Sequence, residues 1–337
     1  MKAVGYKIPS PIDAPEALID LELPKPVPTG RDILVAVKAV SVNPVDVKVR
    51  AGRKPEGEVA VIGWDAAGIV EAVGPEATLF KVGDPVFYAG AFGRQGSNAE
   101  FQLVDERIVG RKPSSLSFAQ AAALPLTAVT AWELLFDRLD VVQTSEGGGK
   151  GTLLVVGGAG GVGSILIQLA RQLTDLTVIA TASRPETQAW VKELGAHHVV
   201  DHSTDLVAGV AATGAGPVDL IAALTNTDDH FPALAEIIAP QGRIGVIDDP
   251  ATLDVMPLKW KSVSLRWEVM FTRSLYQTDD MIQQHHILDA VADLVDAGRL
   301  KTTLTQVLSP IDAANLKTAH AAIESGRTRG KIVLEGF

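Results

Sequence analysis

The stretch Leu153-Leu-Val-Val-Gly157-Gly-Ala-Gly-Gly-Val-Gly163-Ser-Ile-Leu-Ile-Gln-Leu-Ala170 decides the fold. Its apolar opening reads as a buried strand and its close as a helix, with Gly158, Gly160 and Gly163 at the spacing a pyrophosphate requires. The first glycine permits a tight turn, the second lets a phosphate approach the backbone, and the third lets helix and strand pack closely. Ala159, Gly161 and Val162 complete a loop whose N–H groups lie at a helix N-terminus, a ready anion site. The stretch is therefore read as a dinucleotide-binding loop.

C-terminal to it, strand and helix patterns alternate through Thr177–Thr181, 186–194, Val199-Val200, 218–224, 231–238 and 243–247. Such alternation implies a doubly wound parallel sheet of the Rossmann type. Residues 262–271, Ser-Val-Ser-Leu-Arg-Trp-Glu-Val-Met-Phe, read as one further strand with large side chains on both faces. That is the pattern of a sheet edge covered by a second subunit, so a homodimer paired there is expected. N-terminal to the loop, short runs of period two separated by Gly, Pro and Asp read as an antiparallel β domain. A short helix from Pro44 to Arg50 interrupts it, and Ser117 is a helix N-cap candidate ahead of an Ala- and Leu-rich run restarted at Pro125. The expected α/β division is 1–124 in a first domain, 125–271 in the nucleotide domain, and 272–337 returning to the first. The polar run 143–151 is read as a mobile hairpin.

The chain has 337 residues, 47% of them apolar, which suffices for two cored domains. A net charge of −10 spread along the chain disfavours nucleic acid and anionic membrane as partners. The N-terminus lacks a signal-peptide core, and no later stretch is read as the roughly 20 apolar residues of a membrane span. A cytoplasmic protein acting on a small electrophilic substrate is expected. With no cysteine at all, disulfides, thiolate nucleophiles and thiolate-bound zinc are excluded.

Sites that prefer NAD place Asp or Glu at the end of the second strand, about 20 residues on, to accept the ribose hydroxyls. Here that strand ends Thr181-Ala-Ser183-Arg184, with no carboxylate. A hydroxyl and a guanidinium suit the 2′-phosphate of NADPH, and His202, past the third strand, is placed to add a contact.

Val42-Asn-Pro-Val-Asp46, Gly63-Trp-Asp-Ala-Ala-Gly-Ile-Val70, Val82-Gly-Asp84, Ala121-Ala-Ala-Leu-Pro-Leu-Thr127, the glycine loop and Arg329-Gly-Lys-Ile-Val333 occur in this order. Together they resemble the medium-chain dehydrogenase/reductases, specifically their zinc-free quinone oxidoreductase, zeta-crystallin-like branch. Met270-Phe-Thr-Arg-Ser274 is similar to that branch's bacterial zinc-type alcohol dehydrogenase-like members. The resemblance implies a GroES-like catalytic domain with the nucleotide domain inserted, pairing of sheet edges in a dimer, and Lys331 among the cofactor-binding residues. It also places Asn43 where zinc members carry a ligating cysteine and Trp64 where they carry histidine. An indole N–H is a donor only and cannot ligate. His198 and His202 share no helical face, and the adjacent His285 and His286 point apart, so no metal is expected.

Alcohol oxidation without a Lewis acid lacks the ion that stabilises an alkoxide. Hydride transfer to a quinone or another activated carbonyl compound chiefly needs positioning and a donor for the developing oxyanion. In this reading Asn43 donates to ribose or substrate, Thr127 holds the nicotinamide carboxamide, Asp46 orients the loop or relays a proton, and Lys48 polarises a carbonyl. Asn43 and Asp46 equally fit a turn that caps the Pro44 helix. Reduction of an enone or enal is the alternative activity, and non-catalytic NADPH binding the alternative of another kind. Lys48 and Arg50 stand where quinone oxidoreductases often carry an aromatic residue, so the quinone-stacking surface is not legible.

Overall fold

The strand ahead of the glycine loop is Thr152–Val156 (β1), buried along its whole length. A computed structural model describes residues 1–146 and 148–337; Gly147, within the run expected as a mobile hairpin, lies outside the described residues. After β1 the chain forms Thr177–Thr181 (β2), His198–Val200 (β3), Val218–Ala223 (β4), Ile238–Val246 (β5) and Ser264–Trp267 (β6). They make one six-stranded sheet in the order β3-β2-β1-β4-β5-β6, with every neighbouring pair parallel. A strand buried on both faces needs no alternation, which is why Leu153-Leu-Val-Val156 is continuously apolar. The order reverses direction at β1, and the glycine loop leaves its C-terminal end, where open α/β sheets bind ligands.

The loop enters the helix Gly161–Leu173 (α1), whose Ile165, Leu166 and Leu169 are buried. Pro185–Glu193 (α2) follows β2, with Pro at its first turn and Arg184 as N-cap, where proline's missing N–H costs nothing.

The edge strand is shorter than its sequence pattern. Only Ser264–Trp267 of the expected 262–271 pairs, with β5 as its partner. Ser262 sits in the left-handed region (φ 51°), which breaks an extended run, and Phe271 opens the helical turn Thr272–Tyr276.

The chain divides into two compact units, Thr130–Met270 and Met1–Val129 with Phe271–Phe337. In the latter, Asp32–Ser41 is the central strand. It pairs antiparallel with Lys331–Glu335, Asp65–Val73 and Phe101–Asp105. Leu304–Leu308 extends the sheet at one side, parallel to Lys331–Glu335.

Helical structure runs from Phe118 through Arg138. Ser117 and Gln120 form a reciprocal cap at its start (3.2 and 3.0 Å). Pro125 restarts it, and Glu133–Arg138 widens into a π-type turn. This corrects the expectation that no stretch reaches membrane-span length. By length and composition the 21 residues pass, with mean hydropathy 1.2, but 83% of the apolar window is buried inside the protein.

Candidate active site

Strand register builds the first part of the site. Ser41 lies opposite Asp65 on one neighbour and opposite Val333 on the other. Two residues beyond these pairs, the antiparallel arrangement brings Lys331 to Asn43. The Lys331 ammonium donates to Val42 O (3.0 Å), to Asp65 Oδ2 (3.0 Å) and to Asn43 Oδ1. Asp65 is completely buried and also accepts from Ser41 Oγ (3.0 Å), Asn43 Nδ2 (2.8 Å) and the Leu126 N–H (2.7 Å). Four donors thus meet this buried carboxylate, three at Oδ2 and one at Oδ1, and one of them is charged, as a charge kept in the interior requires.

Asp46, on the helix Pro44–Gly52, accepts from the Asn43 N–H at 2.8 Å. Burial pushes its carboxyl up to about 7, against the pull of the Asn43 N–H and the Lys331 ammonium, while the Asp65 charge adds to the rise. Asp46 therefore exchanges a proton near neutral pH. Asn43, expected to donate to ribose or substrate, turns its amide inward, to Asp65 and more distantly to Ser41 O (3.5 Å). Lys48 is exposed. Thr127 is buried, its hydroxyl donating to Leu124 O at 3.0 Å.

The residues at this position do not fit zinc. Asn43 Oδ1 and Asp65 Oδ2 both face the Lys331 ammonium, so a cation is already built in between them. Trp64 offers only a buried N–H. Among the described residues no group of three or more His, Asp or Glu is placed to hold a metal ion.

The glycine loop fits a pyrophosphate. No side chain caps the first turn of α1 after Gly160, so its N–H groups are available to an anion. A Cβ on Gly160 would meet only Gly157 O, at 3.5 Å, whereas one on Gly163 would lie 2.5 Å from that oxygen and 2.7 Å from the Gly158 backbone. Gly160 thus faces open space and Gly163 serves close packing. Gly158 packs on the Ala180 and Val191 side chains. Thr181 anchors the loop, its hydroxyl accepting from Gly157 N (2.9 Å) and its carbonyl from Gly158 N (3.2 Å).

Beside the loop is a pocket of about 270 Å³ lined by Gly157, Thr181, His202, Asn226, Asp229 and His230, among others. The His202 and His230 rings meet edge-on at 5.8 Å. Burial, then the His202 imidazole, holds His230 below its ordinary value. Ser183 is half-buried, and Arg184 donates to Glu186 at 2.6 Å, a contact that draws on the charge expected to meet a 2′-phosphate.

Sequence reasoning missed three features: Asp65 as the centre of the buried network, His230 opposite His202, and an aromatic cluster. Trp64 stacks on Phe92 (5.5 Å, 11°), and Phe271 packs against both. The three lie far apart in sequence with no shared period, so no local pattern announces them.

Residues 29–128 match the alcohol dehydrogenase GroES-like domain family and residues 194–334 the zinc-binding dehydrogenase family. A zinc-type alcohol dehydrogenase-like protein of Staphylococcus aureus is 41% identical over 99% of both chains. A solved structure from Rhizobium etli, provisionally named a zinc-dependent alcohol dehydrogenase, is 61% identical with TM-score 0.96, covering 100% of this chain and 98% of that one. A mycobacterial protein solved with NADPH (27% identity, TM-score 0.84, 99% and 100% coverage) and a quinone oxidoreductase of Coxiella burnetii (26%, 0.80, 100% and 99%) share the fold. The two family matches, the inserted parallel sheet and the full-length relatives agree: the chain belongs to the medium-chain dehydrogenase/reductase superfamily of oxidoreductases, close to the bacterial zinc-type alcohol dehydrogenase-like proteins.

Proposed function

We propose that the chain is an NADPH-dependent, zinc-independent reductase of quinones or related activated carbonyl compounds. One observation carries this reading: a lysine ammonium is fixed between Asp65 and Asn43, the residue that the resemblance sets at a zinc-ligating cysteine of the zinc members. A fixed charge of this kind needs no reorganisation during reaction. The nicotinamide supplies a hydride, and forming a hydroquinone from a quinone also consumes one proton. Asp46, with its carboxyl raised by burial to about 7, is the member of this network suited to hold that proton. Phe92, the partly exposed ring of the cluster it forms with Trp64 and Phe271, offers a planar acceptor an aromatic contact. Ser183 and Arg184, with no carboxylate directly at the end of β2, favour NADPH, as does the cofactor of the mycobacterial neighbour. The Coxiella neighbour supports the quinone class.

The decisive assay follows NADPH and NADH oxidation with matched quinones, enones and aldehydes. Quinone turnover with NADPH preferred is expected, and R184D should lower that preference. Turnover of enones alone would replace the substrate reading, and tight NADPH binding without any turnover would replace the enzymatic one.

A further inference from the structure

A pocket of about 390 Å³ opens within the unit that carries Lys331, and neither Asn43, Asp46 nor Lys331 lines it. Its volume lies at the lower end of ligand sites, which run from about 300 to 1,000 Å³, and suits one or two fused rings. Trp64 forms part of its wall, and the Arg53 guanidinium stands over the Phe92 ring at 4.9 Å. Arg53, Lys54 and Arg94 line the pocket, and Glu56 is its one acidic lining residue. On a chain of net charge −10 this is a local reversal of sign.

The three cations are not equivalent. Arg94 is held bidentate by Asp32 (2.8 Å on both arms), which fixes it as structure. Arg53 pairs with Glu56 at 2.6 Å, but the Glu56 side chain is 79% exposed and that of Arg53 37%. Such a solvent-screened pair is worth little, so an incoming anion can displace Glu56. Lys54 is exposed, with no ion-pair partner within 4 Å among the described residues. Aromatic wall, small volume and available cations at the rim together describe one ligand class.

Resting on the proposed reductase activity, we propose that this pocket binds the part of the acceptor remote from the reacting atom, and that the acceptor is an aromatic compound bearing a carboxylate or sulfonate. The ring lies against the Trp64 part of the wall and the anion meets Lys54 and Arg53. Trp64 adjoins Asp65 in the chain, which connects this wall to the buried network.

The test compares 1,4-naphthoquinone with its 2-sulfonate as oxidants of NADPH, in the wild-type protein and in K54Q and R53Q. The sulfonate changes the quinone's own reactivity, so the readout is the ratio of the two kcat/KM values, compared between proteins. K54Q should lower that ratio about 5–10-fold, the effect of losing about 1–1.4 kcal/mol of ionic binding, and raising salt should lower it in the wild type. An unchanged ratio in both variants overturns the inference and leaves the reductase reading intact. If no quinone is reduced, that reading fails, and calorimetric titration with naphthalene-2-sulfonate decides the pocket by itself. Binding weakened by K54Q supports it; no binding, or equal binding, overturns it.

Discussion

Replacing Lys331 by methionine removes the cation from the centre of the buried network. The ammonium is 3% exposed and donates to Val42 O, Asn43 Oδ1 and Asp65 Oδ2. Methionine retains much of the apolar stem but leaves Asp65, with no exposed surface, without its counter-charge. Breaking a buried ion pair from one side costs about 3–5 kcal/mol. Asp65 keeps the donors of Ser41, Asn43 and Leu126, so the lower figure, about 3 kcal/mol, is expected. For a domain of roughly 150–250 residues each kcal/mol moves Tm by about 2–4 °C, which gives a loss of about 6–12 °C. Scanning calorimetry of the full chain at pH 7.5 is the suitable assay, because two units need not unfold in one transition. K331M/D65N removes the orphaned charge as well and should recover about 1–3 kcal/mol relative to K331M. A loss below about 1 kcal/mol in K331M, or no recovery in the double variant, would refute the argument that charge pairing holds this site together.

Three further outcomes are expected. The Asp46 carboxyl is raised from 3.8 to about 7, so the native state retains a proton that the unfolded state releases between those values. Its contribution to stability is complete below pH 3.8 and declines as pH rises to about 7, by at most about 1.4 kcal/mol per pH unit. The stability difference between wild type and D46N, measured by urea unfolding from pH 5 to 8, should shrink with pH accordingly; a pH-independent difference contradicts it. G160A, whose Cβ finds open space, should fold normally but bind NADPH about tenfold or more weakly, while G163A should lose about 1–3 kcal/mol of stability through overpacking. Equal effects of the two on stability would remove the distinction between phosphate approach and packing. We also propose that β6 pairs with a second copy: it is a sheet edge, and Trp267, 53% exposed, lies on it. Sedimentation velocity should show a dimer that W267E dissociates, and a wild-type monomer would end this reading.

The sequence alone determined what depends on neighbours along the chain. Continuous apolar character in Leu153-Leu-Val-Val156, glycines at fixed offsets and alternating strand and helix periods are local signals, and they led to the parallel sheet and its loop. The same kind of signal misled at 262–271, where apolar residues suited to a strand continue past Trp267, at which the strand ends, up to the helical turn that Phe271 opens. What only the tertiary structure decided rests on register between distant strands. Asn43 and Lys331 lie 288 positions apart and meet because Val333 pairs with Ser41, while Asp65 joins them because it also pairs with Ser41. A one-residue slip in either pairing would turn these side chains to the opposite face. No composition or spacing rule contains that information. The inward turn of Asn43, the raised carboxyl of Asp46 and the Trp64–Phe92–Phe271 wall follow from the packed interior rather than from any motif.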